Sequence, residues 1–145
     1  MNLNQNYHHE NNMKQINNYI QEKLKLNKSV IDKNRYTLFP INEDELREMI
    51  EQEIEQNGNE CSLNHIDISK IKYMEELFYY SEFNGDISQW DVSKIESMNG
   101  MFYASKFNQD ISNWKINSKC DTTNMFKECC IIYNFKPYKN GERIK

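Results

Sequence analysis

The sequence has no long apolar run, no excess of positive charge and no paired-cysteine motif, and each absence excludes a class of protein. No apolar stretch approaches the roughly 18–20 residues that a membrane-spanning helix requires. The net charge is −4, so a generally basic surface for nucleic acid is not expected. A structural zinc site would want two Cys-x-x-Cys-type pairs, which are absent, so we expect neither a metal nor a cofactor. The four cysteines are Cys61, Cys120, Cys129 and Cys130.

The N-terminal sequence also lacks export features. It has neither a basic n-region nor an apolar h-region, and no cysteine for lipid attachment lies near the start. We therefore expect no signal peptide, and a soluble, cytoplasmic protein whose thiols are mostly reduced. The apolar fraction of 38% is low for a compact globule but suits a repeat protein, which buries a thin continuous core.

What the sequence does have is a 24-residue repeat. Residues 66–89 and 90–113 agree at 13 of 24 positions. A fixed period in the twenties is typical of a solenoid. Each unit opens with an apolar triplet whose last two members alternate, as in a short strand, and stacked strands would form a narrow parallel sheet. The triplets are Leu63, Ile66 and Ile68; Ile87, Trp90 and Val92; and Ile111, Trp114 and Ile116.

A second apolar pattern in each unit predicts a short helix on the opposite side of the coil. Ser69 and Ser93 are placed to cap it. The stripes of these helices are Ile71, Met74, Leu77 and Phe78, then Ile95, Met98, Met101 and Phe102. Aromatic residues at repeat-equivalent places are predicted to form a core ladder rather than a ligand cage. They are Phe78, Phe83, Trp90, Phe102, Phe107 and Trp114.

The segments around the repeats are predicted to cover their ends. Residues 41–58 form an N-terminal cap helix, in which Asn42 is the N-cap. Residues 59–126 hold the repeats, and residues 127–145 form a C-terminal cap and tail, because solenoids need atypical terminal units.

Residues 1–40 combine a polar tail with an amphipathic helix, whose apolar positions step by three and four. This helix either packs on the end of the solenoid or grips a partner. Its apolar positions are Met13, Ile16, Ile20 and Leu24.

The repeats FNGDISQWDVSKIESMNGMF and FNQDISNWKIN resemble the BspA-type leucine-rich repeats found in surface proteins of bacteria, mollicutes and some protists. With the similar lead-in ELREMIEQEIEQNGN, the resemblance covers residues 41–126. It implies a right-handed leucine-rich-repeat-like solenoid that binds other proteins and is not an enzyme. The predicted fold class is thus an α/β repeat: a short right-handed solenoid of about three 24-residue turns, a helical N-terminal cap and an extra N-terminal helix.

The predicted function is a non-enzymatic module that binds another protein through outward-pointing strand residues. This polar stripe has no convergent catalytic set, and its only acid/base pair is His65 beside Asp67. The candidate partner-binding residues are His65, Asp67, Gln89, Asp91, Asn113 and Lys115 in the stripe, and Glu48, Glu51 and Glu55 on the cap helix.

The acidic cap helix motivates an alternative function. Residues 43–60 carry eight acidic side chains and one basic side chain. The chain would then be a small inhibitor or regulator of the phage or mobile-element type, anti-defence or anti-CRISPR-like, that blocks the basic surface of a nucleic-acid enzyme. Direct nucleic-acid binding by residues 13–35 is not expected, because the lysines there follow ordinary helix-end preferences.

Overall fold

The computed structural model describes residues 13–22 and 35–145. The chain divides into two units, Met1–Arg35 and Tyr36–Lys145. The bounds of the four finer segments predicted above stay a prediction. Neither helix in the described ranges has the length and apolar character that crossing a bilayer requires.

In the first unit, residues 13–22 are helical, and we name this helix α1. Its apolar residues Met13, Ile16 and Ile20 are exposed. The predicted polar tail and Leu24 fall outside the described residues.

Helix α2, Glu43–Asn57, lies in the second unit. The side chains of Asn42 and Glu45 cap its N-terminus. The Oδ1 atom of Asn42 accepts a hydrogen bond from the Glu45 amide at 2.9 Å. The Glu45 carboxylate accepts one from the Ile41 amide at 3.0 Å. This is a capping box whose return bond reaches one residue further back than usual, so the predicted N-cap is confirmed.

Helix α2 ends at Gly58, as the sequence predicts. Gly58 has a φ of 85°, and its amide donates to the Ile54 carbonyl. A positive φ at this position is why glycine commonly follows the last helical residue. The helix buries Leu46 and Ile50 in the core of the unit.

The C-terminal segment holds the remaining regular elements. A 3-10 turn, Tyr133–Phe135, precedes strands β1, Tyr138–Lys139, and β2, Glu142–Arg143. The strands pair antiparallel, and both residues of their connecting turn, Asn140 and Gly141, have positive φ. That is the requirement of a type I′ hairpin, for which Asn-Gly is a preferred sequence.

The predicted α/β solenoid of about three right-handed leucine-rich-repeat-like turns is wrong. In the part of the chain that the structure describes there are helices α1 and α2, one 3-10 turn and a single two-stranded antiparallel sheet. Residues 59–132, which we name the turn region, contain neither an α-helix nor a strand. Parallel contacts here are isolated bridges, such as Tyr73 with Ser97, so the predicted parallel sheet is absent.

The predicted repeat helices fail because the backbone reverses its hand inside each of them. An α-helix needs negative φ throughout, whereas here φ is positive at two positions four residues apart. Amides in these segments donate instead to carbonyls of a later segment, as Phe78 does to Met101 at 2.8 Å. The left-handed pairs, with φ between 51° and 61°, are Glu76 and Tyr80, Gly100 and Ala104, and Asn124 and Glu128.

The predicted repeat strands fail because side chains take over the amides that a sheet would use. Asp67 accepts a hydrogen bond from the Ser69 amide at 2.9 Å, and Asp91 accepts one from the Ser93 amide at 3.1 Å. Such Asx turns compete with a strand ladder for the same backbone groups. The pattern recurs at Asp86, Asp110, Asn117 and Asp121.

The predicted aromatic core is confirmed. The rings of Phe78, Phe102 and Phe126 stack with centroids 5.5 Å apart at each step and interplanar angles of 7° and 6°. Trp90 and Trp114 are each 4% exposed, and their indole N–H groups donate to buried main-chain carbonyls at 2.9 and 3.2 Å. A buried indole needs such an acceptor, so these rings serve packing rather than a ligand.

Candidate protein-binding surfaces

Two residues of the predicted polar stripe, Asp67 and Asp91, line one cavity of about 210 Å³. Trp90 and Lys94 also line it. In each carboxylate, Oδ1 accepts the amide two residues later, and Oδ1 of Asp91 also accepts the Ser93 hydroxyl at 2.6 Å. The structure therefore brings these two predicted residues together, but with half of each carboxylate engaged in a turn.

Hydrogen bonding favours the ionised form of Asp91. The hydroxyl and amide of Ser93 lower the pKa of the Asp91 carboxyl below its usual value, and the charges of Lys94 and Lys115 lower it further. The bonds favour the charged form because a carboxylate accepts two hydrogen bonds that its protonated form would weaken. Predicted stripe residue Lys115 is exposed, and its nearby charge complements Asp91.

The other stripe residues link successive segments of the turn region. The main-chain amide of the exposed Gln89 donates to Oδ1 of Asn64 at 3.0 Å. The side-chain amide of Asn113 donates to the Ser88 carbonyl at 3.0 Å. His65 lies 3.2 Å from the Glu53 carboxylate of α2, so its charged partner is Glu53 and not the predicted Asp67. Much of the polar stripe thus serves the fold.

The acidic face of α2 contains two groups of carboxylates. Glu43 accepts the amides of Lys72 and Tyr73 at 3.4 and 3.3 Å, and Glu53 pairs with His65. The predicted binding residues Glu48, Glu51 and Glu55 are exposed, and none of their side chains forms a hydrogen bond or ion pair with the described part of the chain.

Sequence reasoning missed one surface, a cluster of three tyrosines that we name the tyrosine cluster. The ring of Tyr79 stacks on that of Tyr103 at 5.2 Å and meets the edge of Tyr80 at 4.6 Å. Tyr79 is 46% exposed and Tyr80 is 61% exposed. The repeat pairs Tyr79 with Tyr103 in the sequence, but Tyr80 pairs with Ala104, so the period alone could not reveal the cluster.

Charges of both signs surround the tyrosine cluster. Lys127 places its ammonium 5.7 Å from the Tyr103 ring centroid, and the Tyr103 hydroxyl donates to Glu128 at 3.3 Å. Partial desolvation, then Tyr80 and the Glu76 carboxylate, raise the pKa of Tyr79. The raised pKa favours the neutral form of the Tyr79 hydroxyl, and the carboxylates of Glu76 and Glu128 lie near the cluster.

Thiols and metal-ligating groups do not form a reactive site in the described residues. There, no group of three or more His, Cys, Asp or Glu side chains is arranged to hold a metal ion. All four cysteines are free. Burial raises the pKa of the Cys120 thiol, and burial with the charge of Glu53 raises that of Cys61, which disfavours the thiolate that a nucleophile requires.

One family of proteins matches the chain. A family model described as "Mycoplasma protein of unknown function, DUF285" matches residues 44–137, more than half of the chain. The match begins at the second residue of α2 and ends just before β1, so α1 lies outside it. No curated protein and no solved structure matches.

Proposed function

We propose that this chain, which belongs to the DUF285 family, is a non-enzymatic module that binds another protein. The single observation that carries the proposal is the exposed tyrosine cluster. Tyrosine is enriched in the cores of protein interfaces, because its ring buries a large area and its hydroxyl tolerates water. Three tyrosines in mutual ring contact at the surface have the composition of a binding hot spot.

The backbone beneath the tyrosine cluster favours binding by holding the rings in place. The Tyr80 amide donates to the Tyr103 carbonyl at 2.9 Å, which fixes the two segments in register. Phe78 and Phe102, each next to a cluster tyrosine in sequence, are buried and stacked. A surface that is already ordered loses little conformational entropy when a partner binds.

The surroundings of the tyrosine cluster favour a partner that presents arginine or lysine side chains. Lys127 over the Tyr103 ring is an example, within the chain itself, of a cation packed on a cluster face. Cations are attracted to such ring faces, and the carboxylates of Glu76 and Glu128 add to the attraction. The resemblance to BspA-type repeats supports only the binding role, since the leucine-rich-repeat fold that it implies is not found.

A quantitative pull-down from the source cells tests this proposal. We expect the double variant Tyr79→Ala/Tyr80→Ala to lose captured partner by about tenfold or more relative to the unchanged chain, as for a hot spot. The matched control is Ile132→Ala, which removes an exposed apolar side chain outside the cluster. Thermal melting of each variant checks folding. Retention of every partner by the folded double variant contradicts the proposal.

The acidic-helix inhibitor is the second candidate, and the exposed, unpaired Glu48, Glu51 and Glu55 favour it. Charge reversal of these three residues to lysine should then release a nucleic-acid enzyme, while substitution of Gln89, Asp91 and Asn113 should not. Release by the stripe variants alone would instead locate the site on the polar stripe. A cytoplasmic location belongs to either proposal, because four free thiols are typical of a reducing compartment.

A further inference from the structure

Two rows of main-chain hydrogen bonds join successive segments of the turn region, and in each row the donating amides belong to the earlier segment. Bonds of the opposite sense, such as those from Glu96 to Lys72 and from Lys106 to Ser81, lie beside these rows. The amides of Met74, Glu76, Phe78 and Tyr80 donate to carbonyls 23 residues later at 2.8 to 2.9 Å. The amides of Met98, Gly100, Phe102 and Ala104 do the same at 2.7 to 2.9 Å, to Asp121, Thr123, Met125 and Lys127. Each of the first two segments therefore uses a row of four amides on the edge that faces the following segment.

The last segment leaves its donors without acceptors. The amides equivalent to those of the previous segment are Thr122, Asn124, Phe126 and Glu128, and none of them donates a hydrogen bond within the described part of the chain. We name these four amides the donor edge. The Thr122 and Asn124 carbonyls accept the amides of Met125 and Lys127, so they are engaged within the segment. Four unpaired amides in a row require a partner that offers acceptors.

The opposite end of the turn region is covered by side chains of α2. There the Arg47 guanidinium donates to the carbonyls of Glu75 and Glu76, and the Glu43 carboxylate accepts the amides of Lys72 and Tyr73. Helix α2 thus occupies the edge onto which the donor edge of a second copy would have to stack. This argues against head-to-tail self-association and for a different occupant.

A cavity of about 370 Å³ lies against the donor edge and favours an acidic occupant. Thr122 and Asn124 line one side of it. The C-terminal hairpin contributes Lys139 and Arg143, and Lys145 follows. Three cationic side chains line this cavity against two acidic ones, Asp121 and Glu142.

We propose that the donor edge and this cavity bind an extended acidic segment of a partner protein, whose main-chain carbonyls accept from the four amides. The pairing is that of strand addition to an exposed edge, with main-chain hydrogen bonds for affinity and the cavity for side-chain selection. This site goes beyond the tyrosine cluster and uses different atoms, so either can exist without the other.

Amide-resolved NMR on the full chain tests the donor edge directly. In the free protein, the amides of Thr122, Asn124 and Glu128 should exchange with solvent about tenfold or more faster than those of Met98, Gly100 and Ala104. Equal protection of the two sets overturns the proposal. So does protection of the donor edge that grows with protein concentration, because the occupant would then be a second copy.

The probe is a short end-capped peptide that alternates glutamate and valine, with a lysine–valine peptide as its control. The acidic peptide should shift and protect the donor-edge amides, and the basic peptide should not; equal effects, or none, overturn the proposal. Lys145→Glu should weaken binding of the acidic peptide by about threefold or more, as for the reversal of one charge near the site. The matched control is Lys106→Glu at an exposed position, which should leave binding of the acidic peptide unchanged.

Discussion

Helix α2 and the segment of residues 71–80 satisfy their backbones in opposite ways. In α2 the amides beyond the first turn find acceptors four residues earlier, and the Asn42 side chain accepts from the first turn. In residues 71–80 four amides find acceptors in the next segment, 23 residues away. The difference shows that similar spacings of apolar residues are compatible with two backbone conformations. The helix is stabilised by hydrogen bonds within itself, whereas residues 71–80 need the next segment in place.

The largest expected effect comes from the stack that holds the neighbours together. Phe102→Ala removes the ring between Phe78 and Phe126, and we expect the free energy of unfolding to fall by about 3–5 kcal/mol. Urea unfolding monitored by circular dichroism measures it. The exposed Tyr133→Phe is a mild control. A loss below about 1 kcal/mol would mean that the stacked rings contribute little more than a surface side chain.

The sharpest comparison uses one substitution in both regions. Glu76→Gly relieves a left-handed φ of 54° and should raise the free energy of unfolding by about 0.5–1 kcal/mol. Glu51→Gly, in the middle of α2, should lower it by about 1 kcal/mol, because glycine is a poor helix former. Both glutamates are exposed. Destabilisation by both substitutions would contradict the left-handed assignment at Glu76.

The smallest expected effect is on the pH dependence of stability. Hydrogen bonds within Asx turns lower the pKa of Asp91 and Asp110. The donors are the hydroxyl and amide of Ser93 for Asp91, and those of Ser112 for Asp110. A carboxyl with a lowered folded pKa stabilises the fold above its unfolded pKa, about 3.9, and this stability is lost as the pH falls through the lower folded value.

Asparagine at both positions keeps an oxygen acceptor for the turn but cannot titrate. The urea midpoint of Asp91→Asn/Asp110→Asn should therefore fall less steeply below about pH 4 than that of the unchanged chain. Glu48→Gln/Glu55→Gln on α2 is the control for a general loss of acidic charge. Identical acid profiles for all three proteins would show that the turns do not depend on ionised aspartate.

Individual residues show how far the sequence could predict this molecule. Asn42 and Gly58 mark the ends of α2 because caps act locally, within a few residues. Trp90 and Trp114 are correctly predicted to be buried, since a repeat places equivalent side chains in equivalent environments. The predicted repeat helices and strands fail because apolar spacing does not report the sign of φ or the acceptor of an amide.

The candidate sites also combine features that residue spacing predicts with features that only the folded chain shows. Asp67 and Asp91 share a cavity, as their repeat-equivalent positions suggest, but their engagement in turns could not be read from spacing. Tyr80 joins Tyr79 and Tyr103 only because the chain turns left-handed at Tyr80. The donor edge is defined by hydrogen bonds between segments and so has no signature in any one of them.

The sequence by itself determined the 24-residue period, the buried aromatic positions and the capped helix α2, because each depends on side-chain pattern or on contacts within a few residues. The tertiary structure decided the backbone of the turn region and, with it, both proposed surfaces. A left-handed residue such as Glu76 costs about 1–2 kcal/mol in isolation. It is adopted here because its amide then reaches the Asn99 carbonyl at 2.9 Å, an acceptor that only the folded chain brings near.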